Sequence, residues 1–113
     1  MPRLDHVAVE SADPDATARF YERFLGARIV RRDDHPVMAY LQEGAMAIHR
    51  QGPHGHGRHV GFRVSAEERA ALKRALDDAG IGNEERDHGI AVGLFFEDPD
   101  GRQLEAITYR DEA

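Results

Sequence analysis

Two segments half a chain apart read almost alike. Leu4-Asp5-His6-Val7-Ala8-Val9 opens the first half, and Arg58-His59-Val60-Gly61-Phe62-Arg63-Val64 opens the second. Each alternates apolar and polar residues as a half-buried strand does, each has a histidine at its start, and each leads toward a helical pattern. A third such strand, Gln103-Leu104-Glu105-Ala106-Ile107, sets a carboxylate in an equally apolar context. Two imidazoles and one carboxylate, His6, His59 and Glu105, each on a rigid strand, form a three-ligand set for a divalent metal. On their own, a strand histidine also reads as a hydrogen-bonded, partly buried residue, and a glutamate as a solvated one. The matched positions of the two histidines are what favour the metal reading.

The chain of 113 residues contains no cysteine and seven histidines. Thiolate nucleophiles, disulfides and cysteine-bound zinc are therefore excluded, and any transition metal must be held by nitrogen and oxygen. A formal net charge of −6, from 15 basic and 21 acidic residues, argues against a nucleic-acid partner. No apolar run approaches the roughly 18 residues of a membrane span, and no basic-then-apolar leader marks secretion. The expectation is a cytoplasmic protein that meets neither membrane nor nucleic acid, folded as a single domain over residues 1–113.

The elements that would position these side chains follow in order. After the strand at 4–9, Asp13 caps a helix with Pro14 at its first position, and Gly26 stops it. Phe20, Tyr21, Phe24 and Leu25 are expected to form its apolar stripe. Strand-like pieces lie near Ala27–Arg32, Val37–Gln42 and Ala45–Arg50. A loop rich in Gly, Pro and His, Gln51 to Gly57, divides the chain. The pattern then restarts. Ser65 and Glu68 make a capping box after the strand at 59–64. Leu72, Ala75, Leu76 and Ala79 line the helix, and Gly80 ends it. A weak strand near Asn83–Arg86 precedes stronger ones at Ile90–Phe96 and Arg102–Tyr109, joined by the turn Asp98-Pro99-Asp100-Gly101. The chain thus reads βαβββ twice, as modules of about 1–52 and 57–113, with a frayed tail from Arg110.

Strand alternation assigns faces. With Val7, Val9, Val60, Phe62, Val64, Leu104 and Ala106 under the helices, His6, His59 and Glu105 face away from them. Small Ala8 and Gly61 beside the histidines leave room for a ligand. The resulting class is α+β: two βαβββ modules forming an open, curved, mixed sheet around a metal site, with helices on the convex face.

The sequence resembles the vicinal oxygen chelate superfamily over nearly its whole length. The resemblance is carried by Leu4-Asp5-His6-Val7, Phe20-Tyr21-x-x-Phe24-Leu25-Gly26, Arg58-His59-Val60-Gly61-Phe62 and Phe96-x-Asp98-Pro99-Asp100-Gly101-x-x-Leu104-Glu105. That group includes glyoxalase I, extradiol ring-cleaving dioxygenases, fosfomycin-resistance transferases, methylmalonyl-CoA epimerases and bleomycin-binding proteins. The resemblance implies paired βαβββ modules, His6, His59 and Glu105 as ligands, and a cation that stabilises charge developing on substrate oxygens. It also implies a homodimer with shared active sites, His6 completing a site with His59 and Glu105 of a second copy.

The motifs do not choose the reaction. Where glyoxalase I carries a glutamate ligand on its fourth strand, this chain has Ala47. His49, two residues on, is a candidate substitute base or else a surface-edge histidine. His88, Leu94, Asp98-Pro99, Gly101 and Glu105 fall at the spacing of the extradiol signature, with Phe95 in place of its tyrosine, while its acid–base histidine has no counterpart near Ala45-Met46. His88 is accordingly either catalytic or a loop cap. Fosfomycin-resistance enzymes need lysine, serine and arginine around a phosphonate, and only Arg86 lies near such a region. His54 and His56 sit in a Gly-Pro-His-Gly-His-Gly loop and read as solvated. Arg63 either reaches the concave face, where it orients a carboxylate, or makes a surface ion pair.

The leading expectation is a divalent-metal-dependent enzyme of the glyoxalase/dioxygenase type, using Fe, Mn, Ni, Co or Zn. It would act on a small-molecule substrate chelated through vicinal oxygens, with His49 and His88 catalytic and Arg63 and Phe95 against the substrate. The rival is a binding protein of the bleomycin-resistance type that sequesters a drug or metabolite without turnover. A third possibility is a structural metal that stabilises a dimer.

Overall fold

In the computed structural model, which describes residues 1–53 and 57–112, eight strands and two α-helices follow one another in the order of two βαβββ modules, and the class is α+β. The elements are β1 (Arg3–Ser11), α1 (Pro14–Leu25), β2 (Arg28–Val30), β3 (Val37–Tyr40), β4 (Ala45–Arg50), β5 (His59–Arg63), α2 (Ala66–Asp78), β6 (Asn83–Asp87), β7 (Ala91–Glu97) and β8 (Gln103–Tyr109). They group into two compact units, Asp5–His59 and Met1–Leu4 with Val60–Ala113. His54 and His56 lie outside the described residues.

In the unit Asp5–His59 the strands run β2-β3-β4-β1, with β1 and β4 parallel and the other neighbours antiparallel. Helix α1 starts where the sequence requires. The Asp13 side chain accepts from the Ala16 N–H, Pro14 fills the first turn, and Gly26 at φ 69° closes the end through its N–H to Glu22 O. The core joins Ala18, Ala27, Ala39 and Ile48, with Val9, Tyr21, Ile29, Val37 and Met46 packed around them.

The expected stripe of α1 is corrected here. Ala18 is fully buried, whereas Phe20, Phe24 and Leu25 are 57%, 61% and 58% exposed. At about 100° per residue, Phe20 and Phe24 sit about 160° and about 120° from Ala18 around the axis. Small Ala18 allows the helix to lie close on the sheet; of the expected stripe Tyr21 packs on this core and Leu25 is exposed at the helix end, while Phe20 and Phe24 face outward. Their rings pack on each other instead, with centroids 4.8 Å apart. Val7, placed under the helix by the sequence, is likewise 40% exposed.

In the second unit the strands run β5-β8-β7-β6, with β5 and β8 parallel and the remaining pairs antiparallel. Helix α2 begins with the full capping box: Glu68 N–H donates to Ser65 Oγ, and Ser65 N–H donates to the Glu68 carboxylate. Its C-cap is Ala79, with Gly80 at φ 71° just beyond. Leu76 and Leu72 pack on Val64, Leu94, Ala106 and Phe96. The tail beyond Tyr109 is ordered as a short turn, Arg110–Glu112, rather than frayed. Arg110 ties it down by donating to Gly89 O at 2.8 Å and to the Asp87 carboxylate. No described helix is long and apolar enough to cross a membrane.

Candidate metal centre

Register assigns the faces within each unit. In β1 and β4, His6 pairs with Ala45, Ala8 with Ala47 and Glu10 with His49. These share the side of the sheet opposite Val9 and Ile48, which pack against α1. His6 is buried, at 8% exposure, between small Ala45, Ala8 and Ala47. Ala8, one of the small residues expected beside the histidines, is therefore on this face, and so is Ala47.

His6 is held at both ring nitrogens. Its Nδ1 lies 2.7 Å from Asp5 Oδ2, in a buried contact. A carboxylate only accepts, so His6 donates Nδ1–H, and a neutral ring then presents a lone pair at Nε2. That atom lies 2.9 Å from His59 Nε2, and the two rings meet edge to face at 88°. Both imidazoles belong to the same chain, so His6 has a histidine partner without a second copy supplying one. Two nitrogen donors about 2.1 Å from one ion and at right angles around it stand about 3 Å apart. The observed spacing and the Asp5 bond therefore fit a divalent cation.

His49 stands in the same unit, its ring centroid 6.2 Å from that of His59. Its register partner Glu10 accepts from Gly52 N–H and pairs with Arg58. Those bonds, the Arg58 guanidinium first, hold the Glu10 carboxyl below the usual carboxylate range. A Cβ on Gly57 would come within 2.8 Å of His49 Cβ and 2.5 Å of Glu10 Cγ, so the chain entering β5 needs glycine to pass this close.

In the other unit, Glu105 pairs with Gly61 on β5 and Phe95 on β7. It is 2% exposed, far below what an unassisted carboxylate tolerates. His88 Nε2 lies 2.9 Å from Glu105 Oε2 and donates to it. His88 is thus bonded to a proposed ligand rather than serving only as a loop cap. At Gly93, beside this pair, a Cβ would land 2.1 Å from Glu105 Oε2 and 3.0 Å from His88 Nε2. A buried, oriented carboxylate with one imidazole donor suits the hard oxygen ligand of a mixed nitrogen and oxygen set.

The same face carries Phe95, whose ring meets His88 at 5.8 Å and lies under Arg86 at 4.9 Å, and Arg63, which stacks 4.5 Å above Tyr109. Sequence reasoning had selected His6, His49, His59, Arg63, His88, Phe95 and Glu105. It missed Asp5, because neighbours along a strand ordinarily point to opposite faces. It also missed Gly93, although a glycine inside a strand signals a close approach, and it missed Tyr109.

A family model described as the glyoxalase/bleomycin resistance protein/dioxygenase superfamily matches residues 3–106. No curated protein matches. Among solved structures, a glyoxalase/bleomycin resistance protein/dioxygenase superfamily member from Vibrio splendidus 12B01 is 16% identical with a TM-score of 0.65, covering 96% of this chain and 99% of that one. A chain titled NAD-dependent benzaldehyde dehydrogenase from Legionella pneumophila is 18% identical with a TM-score of 0.70, over 93% and 98%. The 2,2',3-trihydroxybiphenyl 1,2-dioxygenase of Sphingomonas wittichii strain RW1 is 17% identical with a TM-score of 0.75, covering 99% of this chain but 42% of that one. At these identities the likeness is one of fold.

Proposed function

The chain belongs to the glyoxalase/bleomycin resistance protein/dioxygenase superfamily, and on that basis we propose that it is a divalent-metal-dependent enzyme. Its substrate is a small molecule bound through two neighbouring oxygens. The ligands in this reading are His6 and His59 through Nε2 and Glu105 through a carboxylate oxygen. The observation that carries it is the 2.9 Å approach of the two Nε2 atoms while Asp5 occupies the far nitrogen of His6. When bound, the ion supplies a Lewis acid that stabilises negative charge on substrate oxygens.

The chain's own groups do the rest. Asp5 holds His6 in the tautomer that leaves Nε2 as the donor atom. His88 fixes Glu105 by its hydrogen bond. In this reading His49 accepts and returns a substrate proton, a role supported by its position on the His6 face of β4, where Ala47 offers no carboxylate. Phe95 and Arg63 contact the substrate body.

Calorimetric titration of the stripped protein with zinc tests the ligand set. One ion per chain is expected, with affinity reduced at least about a hundredfold in His6→Ala, His59→Ala and Glu105→Ala. Failure of the wild type to take up a stoichiometric ion, or unchanged uptake in Glu105→Ala, overturns the reading. Turnover is then assayed on metal-loaded protein with a hemithioacetal and with a catechol. Tight binding without product from either class, unaffected by His59→Ala, would return the sequestering protein instead.

A further inference from the structure

We infer that Arg110 is a positioning residue for the proposed metal centre: it clamps the turn that carries His88 and so aims that imidazole at Glu105. The inference rests on the proposed metal reading for its last step, the effect on the ion.

The turn joins β6 to β7. His88 stands just after the end of β6, Gly89 follows at φ 85°, and the His88 N–H donates to Ala91 O at 2.8 Å. A positive φ suits glycine, so the chain reverses sharply and leaves His88 at the base of the turn. Arg110, the residue after β8, holds this turn at three points. Its backbone N–H donates to Ile90 O at 3.0 Å, its Nε donates to Gly89 O at 2.8 Å, and its Nη2 donates to Asp87 Oδ2. The other Asp87 oxygen accepts from Gly89 N–H at 2.8 Å. The residues on both sides of His88 are thereby fixed by one planar guanidinium, whose rigid fork sets two directions at once.

The ring reaches inward from this frame. His88 Nε2 lies 2.9 Å from Glu105 Oε2, beside Gly93, where a Cβ would crowd both groups. Side-chain exposure falls from 52% at Arg110 to 36% at His88 and 3% at Glu105, so a surface residue is linked through one imidazole to a buried carboxylate. An exposed ion pair adds little to global stability by itself. Partners that orient a ligand, in contrast, commonly set metal affinity by about 10- to 100-fold. The Arg110 contacts are placed to do the second while hardly doing the first.

The test compares the wild type with Arg110→Met, His88→Gln and the double variant. Zinc affinity is read by calorimetry of the stripped protein, and the His88 Nε2–H proton by NMR of the zinc-free protein, assigned by its absence in His88→Gln. Arg110→Met is expected to lose or shift that signal, to weaken zinc binding about 3- to 10-fold, and to lower Tm by less than about 6 °C. In the His88→Gln background the same substitution should change zinc affinity by less than about twofold, since its route to the ion is gone. No such proton in the wild type, an unmoved signal in Arg110→Met, or an equal loss of affinity in both backgrounds overturns the inference and leaves Arg110 as an anchor of the chain end. If Arg110→Met does not fold, Asp87→Ala loosens the same clamp and is read in the same way. A wild type that takes up no zinc sinks the metal reading, and the proton signal then still decides whether Arg110 aims His88.

Discussion

Asp5 and His6 are neighbours in one strand, yet the Asp5 carboxylate lies 2.7 Å from the His6 imidazole. Strand neighbours ordinarily project to opposite faces. Here the two short reaches meet, and both side chains are buried. The bond makes His6 a one-sided donor, with its remaining nitrogen aimed at His59.

Replacing Asp5 should therefore be felt at the metal more than in the fold. Asp5→Asn keeps the shape and removes the charge that holds the Nδ1 proton. Zinc affinity measured by calorimetry is expected to fall about 10- to 100-fold, as for other partners that orient a ligating histidine. An unchanged affinity would mean that the carboxylate does not set the tautomer.

Gly93→Ala makes a parallel test on the other side of the ligand set. The new Cβ would fall 2.1 Å from Glu105 Oε2. The carboxylate must swing away, and its bond to His88 must break. The far end of a glutamate can move, so the cost to stability is modest, about 1–3 kcal/mol by the usual scale of overpacking. Metal affinity, which depends on where that oxygen points, should drop by more than the melting temperature implies. A variant with wild-type affinity would show that Glu105 is not held in place by this contact.

What was legible in the sequence was whatever local physics determines. The capping box at Ser65 and Glu68, the Pro14 start, the Gly26 stop and the Asp98-to-Gly101 turn all appear where short-range chemistry demands them. Strand periodicity also puts His6 and Glu105 on the faces they take within their units, because a period of two leaves only two choices. It could not show that Asp5 bends to its neighbour or that Arg63 finds Tyr109, since both depend on side-chain torsions and on strands far apart in sequence. The stripe of α1 was misread for a related reason. Tyr21 does pack on the core, but the position closest to the sheet goes to the small residue, Ala18, and Phe20 and Phe24 turn outward.

That correction gives its own measurement. Ala18→Leu forces three extra carbons into a fully buried position and should cost about 1–3 kcal/mol in urea unfolding. Phe20→Ser, on the outward face at 57% exposure, should change the unfolding free energy by less than about 0.5 kcal/mol. The reverse ranking would place the Phe20 side against the sheet.

The Asp98 turn gives a pH-dependent prediction. The Asp98 carboxylate accepts from the backbone N–H groups of Arg102 and Asp100, both at 2.9 Å, and pairs with the Arg102 guanidinium at 3.2 Å. The backbone bond from Arg102 is the leading reason that its pKa lies below the ordinary 3.8. A carboxyl that is more acidic when folded contributes its full stabilisation above the unfolded value and loses it as pH falls through the folded one. Wild type should therefore exceed Asp98→Asn by a constant margin from about pH 7 to about pH 5, and the margin should shrink toward about pH 3. Arg102 is 68% exposed at its side chain, so added salt should remove only the ion-pair share and leave the backbone share intact. Urea midpoints across that pH range, at low and high salt, check both statements. A margin that stays flat or widens in acid would mean that the turn does not depend on the ionised carboxylate.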